Sequence, residues 1–136
     1  MTPAEPTDPA AVVSRFNDCI NRRDPDGLSD VMSDDHTFVD TAGTRIAGRT
    51  DCISAWRDFF AAFPDYRNLF ATVSTRTDPA TGTDVVTVVG RSVCAEPALS
   101  GPALWTAAVR HGRVAEWRVH DDTAENRRRL GVPVDR

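Results

Sequence analysis

The stretch DDHTFVDTAGTRIAGRTDCISAWRDFFAAFPDY, residues 34–66, reads as strand, tight turn, return strand and an aromatic-loaded helix. Thr37, Phe38 and Val39 are β-branched or aromatic and favour extended backbone, Ala42-Gly43 supplies a turn, and residues 44–47 run back to Gly48. From Thr50 the apolar positions Ile53, Trp56, Phe59, Phe60 and Phe63 recur at three- and four-residue spacing, the period of one helix face, until Pro64 stops the helix. Asp40 then stands at a strand end facing an aromatic helix. A single carboxylate in such company points to a pocket for a small molecule.

Toward the N-terminus, Asp8 can cap a helix with Pro9 at its first position. Val12, Val13, Phe16, Cys19 and Ile20 carry the helical period through to Arg23. Asp24-Pro25 repeats the start signal for a short second helix with Leu28, Val31 and Met32 on one face, ending near Ser33. Toward the C-terminus, long strands are expected at 66–76, 85–94, 103–110 and 113–120, separated by DPATGTD, AEPALSGP and His111-Gly112. TAENRRRLG, ended by Gly131 and Pro133, suits a last short helix. Helices first and strands after describe an α+β domain, a curved antiparallel sheet wrapped around three helices of the N-terminal half. The domain is expected to run over residues 9–131, with a flexible tail at 1–8 and a short tail at 132–136.

With 136 residues there is room for one domain, and no apolar run approaches the ~20 residues of a membrane-spanning helix. The N-terminus has neither the basic nor the apolar segment of a secretory signal, so a cytoplasmic protein with no membrane partner is expected. Net charge is −4, every basic residue besides the histidines is Arg, and the only basic run is Arg127-Arg128-Arg129. An acidic chain with so short a run lacks a phosphate-tracking surface, so no nucleic-acid partner is expected. Cys19, Cys52 and Cys94 are far apart and without a CxxC pair or neighbouring His, which suits reduced core thiols and no metal. Phosphate loops, a GxSxG elbow and HExxH are absent from the sequence, so no cofactor is expected.

Three segments carry a resemblance: the hairpin from Phe38-Val39-Asp40 through Gly48, the helix exit Phe63-Pro64-Asp65-Tyr66, and Gly112-Arg113-Val114-Ala115-Glu116-Trp117 continuing through His120-Asp121-Asp122 to Leu130-Gly131. Together they resemble the SnoaL-like, polyketide cyclase-like branch of the nuclear transport factor 2-like superfamily. The resemblance implies a cone-shaped fold with a hydrophobic cavity between sheet and helices, and a homodimer, for which the outer sheet face is the expected interface. Laid on the ketosteroid isomerase branch, Asp40 takes the general-base position. Phe16 falls where that branch carries its oxyanion-stabilising Tyr, and Trp105 at or near its acid donor. Loss of one such donor typically costs ~10²–10³ in rate, so steroid isomerisation is not expected. The last-strand acid of limonene epoxide hydrolases falls near Val119, and Arg118 follows Trp117 where many SnoaL-like cyclases carry an acid. The first departure makes epoxide hydrolysis unexpected, and the second sets the chain apart from those cyclases.

Residue by residue, Asp40 shares strand parity with Phe38 and His36 and would reach the cavity wall. In an apolar cavity a carboxylate holds its proton more tightly, which suits abstraction of a proton from carbon next to a carbonyl. Alternatively its side chain bonds the amides of its own turn. His36 is expected to be an exposed strand-start residue. On the last strand, Ala115, Trp117, Val119 and Asp121 share one face and Val114, Glu116, Arg118, His120 and Asp122 the other. Parity leaves open whether Asp121 or the His120-Asp122 pair enters the cavity, and Asp122 or Thr123 can instead cap the last helix. Phe16, Trp56, Phe60, Phe63, Trp105 and Trp117 are the aromatic candidates for substrate contact. The expected activity is cofactor-independent acid/base chemistry of cyclase, isomerase or lyase type on a small hydrophobic carbonyl compound, with Asp40 as base and His120 or Asp121 as partner acid. The competing expectation is a non-catalytic ligand-binding or dimerisation module.

Overall fold

The computed structural model describes residues 8–134. The tail expected at 1–8 lies outside these residues except for Asp8, as do the last two residues of the chain.

Helix α1 (Pro9–Asn21) starts where the Asp8 carboxylate accepts from the Ala10 amide, and buries Val12, Val13, Phe16, Cys19 and Ile20. Asp24 repeats the device for α2 (Pro25–Val31), accepting from the Gly27 amide at 3.0 Å. Strand β1 (Met32–Val39) follows without a loop and pairs with β2 (Arg45–Ala47). Gly48 turns the chain into α3 (Arg49–Ala62) at a φ of 96°, a left-handed value that favours glycine. Strands β3 (Arg67–Thr77), β4 (Asp84–Val93), β5 (Gly101–Arg110) and β6 (Arg113–Asp121) form the expected meander, with a 3₁₀ turn at Pro97–Leu99 before β5. Helix α4 (Ala124–Leu130) is capped by Thr123, whose hydroxyl accepts from the Asn126 amide, and ends at Gly131 in left-handed conformation. Asp122 takes no part in that cap. It forms a two-point ion pair with Arg127 at 2.6 and 2.9 Å, which holds its carboxyl below the usual range.

The sheet order is β2-β1-β6-β5-β4-β3, and the β1–β6 pair is parallel, so the sheet is mixed where an antiparallel one was expected. The expected α+β architecture otherwise holds, with α1 packed over β3 to β6 and α3 over β1 and β2. A bulge in β3 between Phe70 and Thr72 bends the sheet. Opposite it, a Cβ at Gly90 would collide with the Leu69 carbonyl oxygen, so the close approach of β3 to β4 requires glycine there.

His36 corrects a sequence expectation. The strand begins earlier than Thr37 and its register shifts before that residue, leaving His36 fully buried beside Phe16. Its Nδ1 meets the Val114 carbonyl oxygen at 2.7 Å, and burial depresses its pKa. Cys19 and Cys52 are core thiols as expected. Cys94 is only half-buried, because it lies just past the end of β4, where its Sγ contacts Asp65.

Candidate functional site

The inner face of the sheet changes from large to small side chains along its strands. On β5, Trp105 and Ala107 lie within the packed core, Ala103 stands at its edge, and both Ala103 and Gly101 border empty space. On β4, Val86 and Val88 are core and Ser92 borders the same space. The hollow is a cavity of about 470 Å³, roofed by Ala55, Trp56 and Phe59 of α3, floored by Trp117 and Val119 of β6, and closed at one side by the 3₁₀ turn. That volume lies in the usual range for small-molecule sites.

Asp40 follows β1 and stands half-buried in the cavity wall. Its Oδ1 accepts from the amides of Ala42 and Thr44, both at 2.9 Å, so the turn bond considered from sequence is present. Among the described residues no hydrogen bond reaches its Oδ2. The carboxylate is thereby fixed in orientation, with Oδ2 left without a partner among these residues. Asp121 is at the exposed rim of the same cavity, on the strand face it shares with Trp117 and Val119. His120 also borders the cavity although it has the opposite parity, and its Nε2 is engaged with the Thr106 hydroxyl at 2.8 Å. Burial, with help from Arg129 and Arg118, pushes its pKa down to about 4, so the ring is neutral at neutral pH.

Of the aromatic candidates, Trp56 and Trp117 line the cavity; Phe38 and Phe59 stand edge-on to Trp56 at 6.0 and 5.7 Å. Phe16 and Trp105 sit in the packed end, where the Phe16 ring packs tilted against Trp117 with centroids 4.6 Å apart. Phe60 packs on Trp56 and Phe63 on Phe59, both outside the lining.

Sequence reasoning missed Tyr66 and Ser92, which form a hydroxyl pair at 3.1 Å in the cavity wall. A usable signal existed: Ser92 is the polar residue in the otherwise small or apolar alternation Val86, Val88, Gly90, Ser92. Burial pushes the Tyr66 phenol up, against smaller opposing effects of Ser92 and Asn68. The nearby loop is pinned by Asp65, whose carboxylate accepts from the Ala95 amide at 2.7 Å and from the Cys94 thiol; both bonds hold that carboxyl below the usual range. Among the described residues no cluster of three or more His, Cys, Asp or Glu is placed to hold a metal ion, and no helix is long and apolar enough to cross a membrane.

The model of the SnoaL-like domain family matches residues 13–121. No curated protein sequence matches the chain significantly. Among solved structures, a proposed polyketide cyclase from Sinorhizobium meliloti is similar at a TM-score of 0.69 and 18% identity, over 81% of this chain and 94% of that one. A proposed dehydratase of the nuclear transport factor 2-like family from Streptomyces avermitilis gives 0.72 and 13%, over 85% and 94%. The Anabaena Orange Carotenoid Protein, in a structure binding canthaxanthin, gives 0.72 and 15%, over 81% of this chain and 35% of that one. At these identities the likeness is one of fold.

Proposed function

The chain belongs to the SnoaL-like domain family, and from that premise we propose that it binds a small hydrophobic carbonyl compound and performs cofactor-independent acid/base chemistry on it, of cyclase, isomerase or lyase type. The observation that supports this most is Asp40, a carboxylate anchored through Oδ1, with Oδ2 unclaimed, in the wall of a largely apolar cavity. Such a group can take a proton from carbon next to a carbonyl when the ligand presents it within hydrogen-bond reach. Asp121 at the rim is the partner acid in this reading. His120 is the weaker candidate, since its Nε2 is held by Thr106.

The test is deuterium incorporation next to the carbonyl of a two-ring ketone, 2-tetralone, followed by proton NMR. Asp40→Asn keeps the Oδ1 acceptor and hence the turn, and lowers the exchange rate by about a hundredfold or more with binding unchanged. Asp40→Ala loses the two amide partners as well and costs about 1 kcal/mol of stability. Exchange no faster than in buffer, with the ketone bound, sinks the enzymatic reading.

That outcome would favour a second reading, a ligand-binding or dimerisation module of the same fold, which the engagement of His120 by Thr106 supports. The Anabaena protein, 35% of which this chain matches in fold, binds the apolar ligand canthaxanthin. Pairing of two copies through the outer sheet face belongs to either reading. Sedimentation at micromolar concentration checks it, and a strictly monomeric species removes it.

A further inference from the structure

The polar end of the cavity has a direction set by counting hydrogens. Asn68, buried on β3, is tied to α1: its amide donates to Asn21 Oδ1 at 2.8 Å, and its carbonyl accepts from Asn21 Nδ2 at 3.0 Å and Asn17 Nδ2 at 3.2 Å. A residue held this way presents its side-chain amide from a fixed backbone. Asn68 Oδ1 accepts from the Ser92 hydroxyl at 2.8 Å. A serine has one hydroxyl hydrogen, so that bond commits it. Toward the Tyr66 hydroxyl, 3.1 Å away, Ser92 Oγ can then only accept. The single phenolic hydrogen of Tyr66 is committed in turn, and its oxygen has only lone pairs left for the cavity.

We propose that the cavity selects a ligand whose polar end is a hydroxyl group, an alcohol, phenol or enol that donates to the Tyr66 oxygen, over one that presents a bare carbonyl or ether oxygen there. This rests on the reading of the cavity as a small-molecule site, and it adds a hydroxyl to the carbonyl compound considered above. Apart from the hydroxyl pair, the surroundings favour such a ligand. Ala98, Leu99 and Pro102 border the cavity and carry no side-chain donor, and the Ser100 hydroxyl between them donates to the Ser92 carbonyl at 3.4 Å. Two further features mark the cluster as more than packing. Asn68 Nδ2 and Asn17 Oδ1 are both buried without a partner, a cost that an apolar core would not carry. Tyr66 is the only tyrosine of the chain, and its hydroxyl lies in the cavity wall.

The test uses four probes of one shape: naphthalene, 2-naphthol, 2-methoxynaphthalene and 2-acetylnaphthalene, titrated into the full chain by calorimetry. The expected result is that 2-naphthol binds about tenfold more tightly than the methoxy and acetyl compounds, the worth of one hydrogen bond. Tyr66→Phe abolishes that advantage while leaving naphthalene within about threefold. Ser92→Ala removes the acceptor of the Tyr66 hydrogen, frees it for the cavity and moves the preference to 2-acetylnaphthalene, which a merely structural role would not do. This variant also carries the test if Tyr66→Phe does not fold. Equal binding of naphthol and methoxynaphthalene, a preference of the unmodified chain for the acetyl compound, or an advantage that survives Tyr66→Phe overturns the proposal alone. Failure of naphthalene itself to bind overturns the small-molecule reading, and the proposal with it.

Discussion

Along β5 the inward side chains run Gly101, Ala103, Trp105, Ala107, and the first two border a cavity while the last two are sealed in the core. The same strands under the same helices thus build two different ends. At the closed end Phe16, Trp105, Trp117 and Phe70 fill the space with rings whose centroids lie 4.6 to 6.5 Å apart. At the open end glycine, alanine and serine stand where those rings would be, and the roof of α3 aromatics spans the gap. Backbone curvature makes room at both ends; side-chain volume decides which end is filled.

Trp117 sits at the boundary, 1% exposed, packed on the closed end and forming part of the cavity floor. Trp117→Ala would merge the two ends and is expected to cost about 3–5 kcal/mol in urea unfolding, the range for deleting a buried large aromatic. A loss below about 1 kcal/mol would mean that the closed end is no better packed than the open one, and the contrast would fail.

Each end also buries an imidazole: His36 at the closed end, His120 at the open one. Both are depressed by burial, His120 to about 4. Between the ordinary histidine value of about 6.5 and about 4, the unfolded chain takes up a proton that the folded His120 does not. Stability is therefore full above that window and falls as pH falls through it, by about 2–3 kcal/mol for this group. His36 adds a decline of the same sign. Denaturation midpoints at pH 7 and pH 4.5 for the unmodified chain and His120→Gln separate the two, with the variant expected to show the shallower acid loss. Equal slopes would place the acid sensitivity elsewhere.

The smallest change converts the open end toward the closed one. Ala103→Leu points a larger side chain into the cavity and is expected to weaken naphthalene binding about tenfold while shifting stability by no more than about 1 kcal/mol, because it fills space rather than overpacking it. A stability loss of 3 kcal/mol with binding unchanged would show that Ala103 borders tight packing instead.

These contrasts were partly legible in the chain. The helix starts at Asp8-Pro9 and Asp24-Pro25, the aromatic period of α3, the strand meander and the final cap are local devices, and each formed within a few residues of its expected place. Asp40 and Trp56 were legible as cavity residues for the same reason, since a hairpin followed by a helix fixes their neighbours over a short span. The burial of His36 was not, because it depends on a parallel pairing with a strand some eighty residues later and on a register shift within β1. Ser92 and Tyr66 were missed because their meaning is a pair: each is an ordinary half-polar residue until the pairing of β3 with β4 brings Tyr66, just before β3, to Ser92 on β4.

The sequence by itself determined the elements, their order and the family resemblance, all of which rest on short-range periodicity, capping and turn chemistry. Only the tertiary structure decided where the cone is hollow, which aromatic rings line it and which merely pack, and which way its polar end points. Those depend on volumes and single hydrogens contributed by strands distant in the chain, and no local pattern encodes their sum.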